Sequence, residues 1–212
     1  MPRDDDNKTD PMKTGSIILC GGRSTRMGRD KATLPFGPEL MLQRVVRLLG
    51  EVVDVRNIVV VAAPGQSIPP LPSDLTIACD QIQERGPLEG IAAGIRALQE
   101  DIDAVYVTSC DVPLLSTGFV ERMFDLLGDN DAAVPRDAQH VHPLAAVYRP
   151  ALLPLVQKLL DADVLRPRSL FDECRTRFVN VDELRDVDAE LQTLINLNHP
   201  DDYEAALRSA GF

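Results

Sequence analysis

The feature that most constrains the fold of this chain is a short apolar run that ends in a pair of glycines. Ser16 to Cys20 read Ser-Ile-Ile-Leu-Cys, a composition typical of a buried strand, and Gly21 and Gly22 follow directly. Glycine allows a sharp turn and lets a ligand approach the backbone, because it has no Cβ atom. The pattern therefore predicts a buried strand followed by a loop that contacts a ligand.

The loop after this strand is rich in groups that bind anions. Its glycines are accompanied by hydroxyl and cationic side chains, which stand at Arg23, Ser24, Thr25, Arg26, Arg29 and Lys31. Backbone N–H groups of glycine-rich turns surround anions, and cations neutralise their charge. The spacing is not that of a Walker loop, because five residues separate Gly22 from Gly28. These features predict a polyphosphate site, and the alternative is a basic surface loop without a ligand.

Leu19 to Lys31 resemble the signature of nucleotidyltransferases of the GT-A-like α/β class. That signature has the form Leu-x-Gly-Gly-x-Ser-x-Arg-Met-Gly-x-Asp-Lys, and every fixed position is filled here. Within the class, the chain is most similar to the molybdenum cofactor guanylyltransferase family, whose members join GMP to molybdopterin. The resemblance implies that one set of residues in this segment binds the nucleotide, namely Leu19, Cys20, Gly21, Gly22, Ser24, Arg26, Gly28 and Lys31.

Strand-like apolar runs alternate along the chain with helical patterns, which predicts a single α/β domain with a mostly parallel central sheet flanked by helices. The resemblance implies the three-layer form of this fold that GT-A-like and other Rossmann-like proteins share. We expect strands over 16–20, 57–62, 75–79, 103–110, 131–135, 142–148, 178–181 and 193–197. We expect helices over 41–52, 88–98, 119–127, 152–160 and 201–207, and one more that starts near 167. Residues 1–14 have little apolar surface to bury and are predicted to be a disordered leader, which leaves 15–212 for the nucleotidyltransferase domain.

Charge and composition exclude several classes of partner. The net charge of −11 argues against nucleic-acid binding, because proteins that bind nucleic acid carry a basic face. The four cysteines show no Cys-x-x-Cys spacing, which indicates neither a zinc site nor a disulfide framework. No apolar run is long enough to cross a membrane. We therefore expect a cytoplasmic protein that binds neither nucleic acid nor membranes.

Asp111 is the best candidate for a metal ligand. It directly follows the predicted strand 103–110, and ligands of open α/β sheets bind at the carboxyl ends of the strands. We expect Asp111 to lie on the same edge of the sheet as Gly21. Carboxylate oxygen is the ligand that Mg²⁺ prefers, so the sequence predicts a Mg²⁺ cofactor there. The alternative is a turn aspartate ahead of Pro113.

Two further segments resemble the guanylyltransferase family. Gly86-Pro87-Leu88 resembles the part of the family that closes over the base and ribose, although a proline at a helix start is common in any protein. Asp80 matches an acidic residue near the guanine, where a carboxylate accepts from both the ring N–H and the exocyclic amine. The related cytidylyltransferase has Ala-Ala-Gly where this chain has Cys-Gly-Gly, which favours GTP. Ala62-Ala63-Pro64 stand where relatives often carry asparagine, so one expected polar contact is missing.

The resemblance also implies an acceptor site. The residues assigned to it are His142, Arg168, Ser169, Asn196 and Asn198. The histidine precedes a proline and an apolar strand, and the arginine and serine stand at a predicted helix start, which favours anions. The alternatives are a histidine that only anchors a turn and a solvated basic patch. The family usually has Asn-x-Asn-Thr-Pro at the last segment, and this chain has histidine in place of the threonine.

The resemblance implies transfer of GMP from GTP to molybdopterin with release of pyrophosphate. Arg26, Lys31 and Asp111 are assigned to catalysis, and molybdoenzymes or other proteins of cofactor synthesis are possible partners. Two alternatives remain open. One is a related transfer that uses CTP or a sugar phosphate or another small phosphorylated acceptor. The other is a nucleotide-binding protein without activity, which the presence of all three catalytic residues disfavours.

Overall fold

A mixed β-sheet forms the centre of the protein in the computed structural model, which describes residues 11–21, 30–80 and 85–212. The strands in these ranges are β1 (Thr14–Leu19), β2 (Pro35–Phe36), β3 (Glu39–Leu40), β4 (Ile58–Ala62), β5 (Thr76–Cys79), β6 (Ala104–Ser109), β7 (Ala132–Arg136), β8 (Ala146–Tyr148) and β9 (Thr176–Asn180). Seven of them form the main sheet in the order β5-β4-β1-β6-β8-β7-β9, and β2 and β3 form a separate hairpin. Strands β5, β4, β1 and β6 run parallel, and β8 is antiparallel to both of its neighbours.

Helices cover both faces of this sheet. They are α1 (Met41–Leu49), α2 (Pro87–Ala97), α3 (Thr117–Leu127), α4 (Leu153–Asp161) and α5 (Pro167–Glu173). A further helix, α6 (Pro200–Ser209), packs in a separate apolar cluster with Phe36 and Met41. One core packs α1 and α3 against the sheet, and a second packs α2, α4 and α5 against the other face. Because helices exclude water from both faces, the central strands are almost entirely buried, and β4 is both buried and apolar at every position. The predicted three-layer, mostly parallel architecture is confirmed.

Two predicted strands differ from the structure. The range 193–197 is not a strand, because the Asp188 carboxylate accepts the backbone N–H groups of Gln192 and Thr193, each at 2.9 Å, and holds this segment in a short 3-10 helix. The predicted strand 142–148 shortens to β8, because the N–H of Ala145 donates to the carbonyl of His142 at 3.2 Å and closes a turn before it.

The start of β1 refines the predicted domain boundary. The strand begins at Thr14, so it includes the last residue assigned to the leader. Lys13 is also tied to the sheet, since its N–H donates to the Asp103 carboxylate at 2.8 Å and its carbonyl accepts from the Asp103 N–H at 2.8 Å. Residues 1–10 of the predicted leader lie outside the described residues. Within the described ranges, no helix has the length and apolar character needed to span a membrane.

Close packing of α2 on β1 gives a testable stability effect at Gly94. A Cβ atom on this residue would lie 2.5 Å from Cγ2 and 2.7 Å from Cδ1 of Ile17, which is fully buried. We expect Gly94→Ala to lower the free energy of unfolding, because over-packing costs about 1 to 3 kcal/mol and the gain in helix propensity is about 1 kcal/mol.

Urea unfolding of Gly94→Ala, Ile17→Ala and the double variant measures this effect. The double variant should be more stable than the sum of the two single changes predicts, because Ile17→Ala removes the atoms that clash. A Gly94→Ala protein as stable as the parent would show that α2 can move away from the sheet.

Candidate active site

The carboxyl ends of the parallel strands meet at one edge of the sheet. Cys20, directly after β1, donates its N–H to the Val61 carbonyl of β4 at 2.9 Å. Cys110, directly after β6, donates to the Leu19 carbonyl at 3.1 Å. The residues that follow these two cysteines, Gly21 and Asp111, therefore lie on the same edge. This is the arrangement expected from the sequence.

A cavity of about 500 Å³ opens at this edge. Small-molecule sites commonly enclose about 300 to 1,000 Å³, so the cavity has the size for a nucleotide or a similar ligand. Six of the residues assigned to the nucleotide line it, and these are Leu19, Gly21, Asp80, Gly86, Pro87 and Asp111. Cys20 and Leu88 do not line it, because their side chains are buried in the cores on opposite faces of the sheet.

Asp111 is a buried carboxylate that has partners on both oxygens. Its Oδ2 accepts from Nζ of Lys31 at 2.7 Å. Its Oδ1 accepts from the Ser109 hydroxyl and from Nδ2 of Asn196 at 3.2 Å. Burial of a carboxylate is costly unless such partners compensate for the lost water. The sequence assignments did not include Ser109, the last residue of β6, although it stands only two positions before Asp111 in the chain.

Lys31 joins three separate parts of the chain at this carboxylate. It begins a short 3-10 helix, Lys31–Thr33, which the Asp30 side chain caps by accepting from the Ala32 N–H at 3.0 Å. Besides its bond to Asp111, its Nζ donates to Oδ1 of Asn198 at 2.9 Å. The C-terminal segment that carries Asn198 thus closes one side of the site.

The two asparagines assigned to the acceptor lie beside the predicted catalytic residues. Asn196 contacts Asp111 and lines the cavity, and Asn198 contacts Lys31. The N–H of Leu197, between them, donates to the Asp111 carbonyl at 3.0 Å, which anchors the segment. The acceptor assignment for these residues remains a prediction, but their side chains are now placed within reach of the same carboxylate and ammonium groups.

The other three residues assigned to the acceptor are not brought to this cluster. His142 pairs through Nε2 with the Asp137 carboxylate at 3.0 Å, and hydrogen bonds from the Gln139 backbone and from this ring lower the pKa of Asp137 to about 2. Arg168 is exposed on α5, and the Ser169 N–H donates to the Arg166 carbonyl at 3.1 Å within its own helix turn. None of the three lines the cavity, although Leu144, two residues after the histidine, does.

Four of the assigned nucleotide-binding residues fall outside the described residues. They are Gly22, Ser24, Arg26 and Gly28. Of the described residues on either side of them, Gly21 lines the cavity and Asp30 does not. The roles assigned to the four remain predictions.

Cys20 is buried in the core next to the cavity edge. The neighbouring Cys110 thiol, which hydrogen-bonds to Cys20, and burial both raise the pKa of Cys20 well above its ordinary value. The thiol therefore stays protonated at neutral pH and acts as a small apolar side chain under the site.

The oxygen atoms around Asp111 fit a hard divalent cation of the kind that nucleotides carry. Asp111 supplies a carboxylate, and Asn198 supplies an amide oxygen nearby. No cluster of three or more Asp, Glu, His or Cys side chains suited to a metal occurs among the described residues. A cation held by Asp111 would take its remaining ligands from substrate phosphates and water, as Mg²⁺ does in many nucleotide sites.

Comparison with known proteins identifies the family. Residues 16–177 match the family described as MobA-like NTP transferase domain. A Methanosarcina mazei protein named probable molybdenum cofactor guanylyltransferase is 33% identical over 201 residues, which cover 89% of this chain and 88% of that protein. The crystal structure of molybdopterin-guanine dinucleotide biosynthesis protein A from Archaeoglobus fulgidus has a TM-score of 0.73 at 18% identity and covers 93% of this chain and 98% of that one.

A second solved structure shares the fold. The Mycobacterium tuberculosis protein Rv0371C, in complex with manganese, has a TM-score of 0.60 at 13% identity and covers 93% of this chain and 100% of that one. At these identities the two structures show the fold, and the family follows from the matched domain and the curated relative. The chain belongs to the family of MobA-like NTP transferase domains.

Proposed function

We propose that this protein transfers GMP from GTP to molybdopterin and releases pyrophosphate. The observation that carries the proposal is the Lys31–Asp111 pair, 2.7 Å apart, at the edge of a cavity that also reaches Gly21 and Asp80. The name of the Methanosarcina mazei relative supports the choice of substrates. We assign this activity to the domain predicted over residues 15–212. We also propose that the protein acts in the cytoplasm and that it uses Mg²⁺.

The chemistry requires that two anions meet. A terminal phosphate oxygen of the acceptor attacks the α-phosphorus of GTP, a new P–O bond forms, and the bond to the β-phosphate breaks as pyrophosphate leaves. The main obstacle is electrostatic repulsion, so catalysis consists of positioning and of charge stabilisation. The attacking phosphate is already ionised at neutral pH, so the protein needs no general base.

The residues of this chain divide these tasks. Lys31 would neutralise the charge that develops on the departing phosphates, together with Arg26. The Gly21 backbone would approach the triphosphate, since no side chain blocks it. Asp111 would hold Mg²⁺, which, when bound, supplies charge neutralisation at phosphate oxygens. Asn196 and Asn198 would orient the acceptor phosphate next to these groups.

A pyrophosphate-release assay tests the proposal and its alternatives. The protein is incubated with Mg²⁺, molybdopterin and either GTP, CTP or ATP, and the product is identified by mass spectrometry. Release that requires both GTP and molybdopterin supports the proposal. Preference for CTP, or activity only with a sugar phosphate, would replace it with a related nucleotidyl transfer. Nucleotide binding without pyrophosphate release would identify a binding protein without activity.

Asp80 provides a prediction about base choice. Its carboxylate lines the cavity and would accept hydrogen bonds from the guanine ring N–H and the exocyclic amine. We expect Asp80→Asn to lower kcat/KM for GTP by about 10- to 100-fold, because a hydrogen bond to a charged group contributes about 1.5 to 3 kcal/mol. The matched control is Asp74→Asn, which changes an exposed aspartate just before β5 and outside the cavity lining. Equal kcat/KM values for the two variants would remove Asp80 from the base site.

A further inference from the structure

Gln66 lies in the loop after β4, and every polar group of its amide is used. Its Oε1 accepts from the Ala63 N–H at 3.0 Å. Its Nε2 donates to the Cys20 carbonyl at 3.1 Å and to Oδ2 of Asp30 at 2.8 Å. An amide nitrogen carries two hydrogens, so both donors are satisfied. The partners also determine the orientation of the amide, since one is a donor and two are acceptors.

The two acceptors stand at opposite ends of the glycine-rich segment. Cys20 is the last residue before Gly21, and Asp30 is the last residue before Lys31. One side chain therefore bonds to the chain both before and after the segment that carries the predicted triphosphate contacts. This arrangement sets the spacing between the two ends of the segment.

The contact with Asp30 also reaches the predicted catalytic lysine. Oδ1 of Asp30 accepts from the Ala32 N–H at 3.0 Å, and the backbone carbonyl of Asp30 accepts from the Thr33 N–H at 3.2 Å. These bonds build the 3-10 turn from which Lys31 extends to Asp111. A change at Gln66 would therefore be transmitted through Asp30 to the position of the Lys31 ammonium group.

We propose that Gln66 is a positioning residue for nucleotide binding, because it holds Cys20 and Asp30 together and, through Asp30, the turn that carries Lys31. It acts through Cys20 and Asp30 and not by contact with the substrate. The expected effect of Gln66 on GTP affinity rests on the proposed function. Its effect on the turn that carries Lys31 does not depend on which nucleotide binds.

Two substitutions separate the hydrogen bonds from the packing. Gln66→Leu keeps the approximate volume and removes all three bonds. Gln66→Glu keeps the shape, loses both donors and places a carboxylate beside that of Asp30. We expect GTP affinity to fall about 10-fold in the leucine variant, from the loss of its hydrogen bonds, and further in the glutamate variant. Adding Asp30→Asn to Gln66→Glu should recover part of the affinity, because the new amide can donate to the new carboxylate.

Gln43 is a matched control for a purely structural role. Its Oε1 accepts from the Leu40 N–H at 3.0 Å and its Nε2 donates to the Pro70 carbonyl at 2.9 Å, so this half-buried amide links the start of α1 to the loop at Pro70, outside the cavity lining. We expect Gln43→Leu and Gln66→Leu to lower the melting temperature by similar amounts. Only Gln66→Leu should weaken GTP binding.

Hydrogen exchange of the nucleotide-free protein tests the positioning effect itself. We expect Gln66→Leu to speed exchange in peptides that cover 30–34, where the turn amides are hydrogen-bonded, and to leave α1 unchanged. If the parent protein does not use GTP but Gln66→Leu exchanges faster over 30–34, the proposed function is wrong and the positioning role is supported. With an active parent, unchanged exchange or unchanged GTP affinity in Gln66→Leu would overturn the positioning role.

Discussion

Asp111→Asn is expected to lower Mg²⁺-dependent pyrophosphate release by about 10²- to 10³-fold, the usual size for the loss of one electrostatic contact to a transition state. Asparagine has nearly the same shape, so it can still accept from Ser109 and Asn196 through its oxygen. It cannot supply a negative charge to a cation or to the Lys31 ammonium group. The fold should therefore persist while the chemistry is lost.

Turnover measured across a Mg²⁺ series, together with thermal unfolding, checks this prediction. The control is Asp188→Asn, because Asp188 is also a buried carboxylate that accepts hydrogen bonds on both oxygens, but it binds the first N–H groups of a 3-10 helix and does not line the cavity. The control should lose stability and keep its Mg²⁺ requirement. If Asp111→Asn keeps the parent's rate and the same Mg²⁺ dependence, Asp111 is structural, and the metal has to be sought at Asp80 or beside Asn198.

Lys31→Ala is expected to lower turnover by a comparable factor, about 10² to 10³. It should also destabilise the protein, because the Asp111 carboxylate then loses its partner at 2.7 Å while it stays largely buried. Lys31→Arg keeps the charge but not the compact ammonium group, so it should recover stability better than it recovers rate.

An exposed ion pair of the same length provides the control. Lys158 contacts Glu173 at 2.7 Å, but its side chain is 70% exposed, and exposed pairs contribute about 0 to 1 kcal/mol. Lys158→Ala should leave both rate and stability almost unchanged. Steady-state pyrophosphate release and urea unfolding of the two alanine variants make the comparison, and a Lys31→Ala protein with near-normal turnover would remove this lysine from catalysis.

The double variant Lys31→Ala, Asp111→Asn adds information on whether the two residues act as a unit. Groups that serve one step are strongly non-additive, so the double variant should be little slower than the slower single variant. Fully additive losses would mean that the two side chains contribute to separate steps.

Local patterns in the sequence were sufficient for the three-layer fold and for one edge of the site. The apolar run before Gly21 and the run before Asp111 each encode a buried strand with a functional residue at its carboxyl end. Parallel pairing of neighbouring strands then brings those ends together, which is why the sequence placed both residues correctly on one edge.

Side-chain hydrogen bonds account for the strand prediction that differs most from the structure. Residues 193–197 have the composition of a strand, but the side chain of Asp188 accepts the N–H groups of Gln192 and Thr193 and holds the start of the segment in a 3-10 helix. His142 has the chemistry to bind an anion, but its Nε2 atom pairs with the carboxylate of Asp137, five residues earlier in the chain. For residues 193–197 a side-chain partner decided the local structure, and hydrophobic periodicity carries no information about such partners. The acceptor assignment of His142 stays a prediction.

The sequence by itself determined most of the strand and helix pattern and the position of Asp111 after a strand end, because each follows from the local order of apolar and polar residues. Only the tertiary structure decided that Asn198 meets Lys31 across 167 positions and that Gln66 joins Cys20 to Asp30 across separations of 46 and 36. A hydrogen bond needs two atoms about 3 Å apart, and residues so distant in sequence reach that separation only when the whole sheet and its loops have folded.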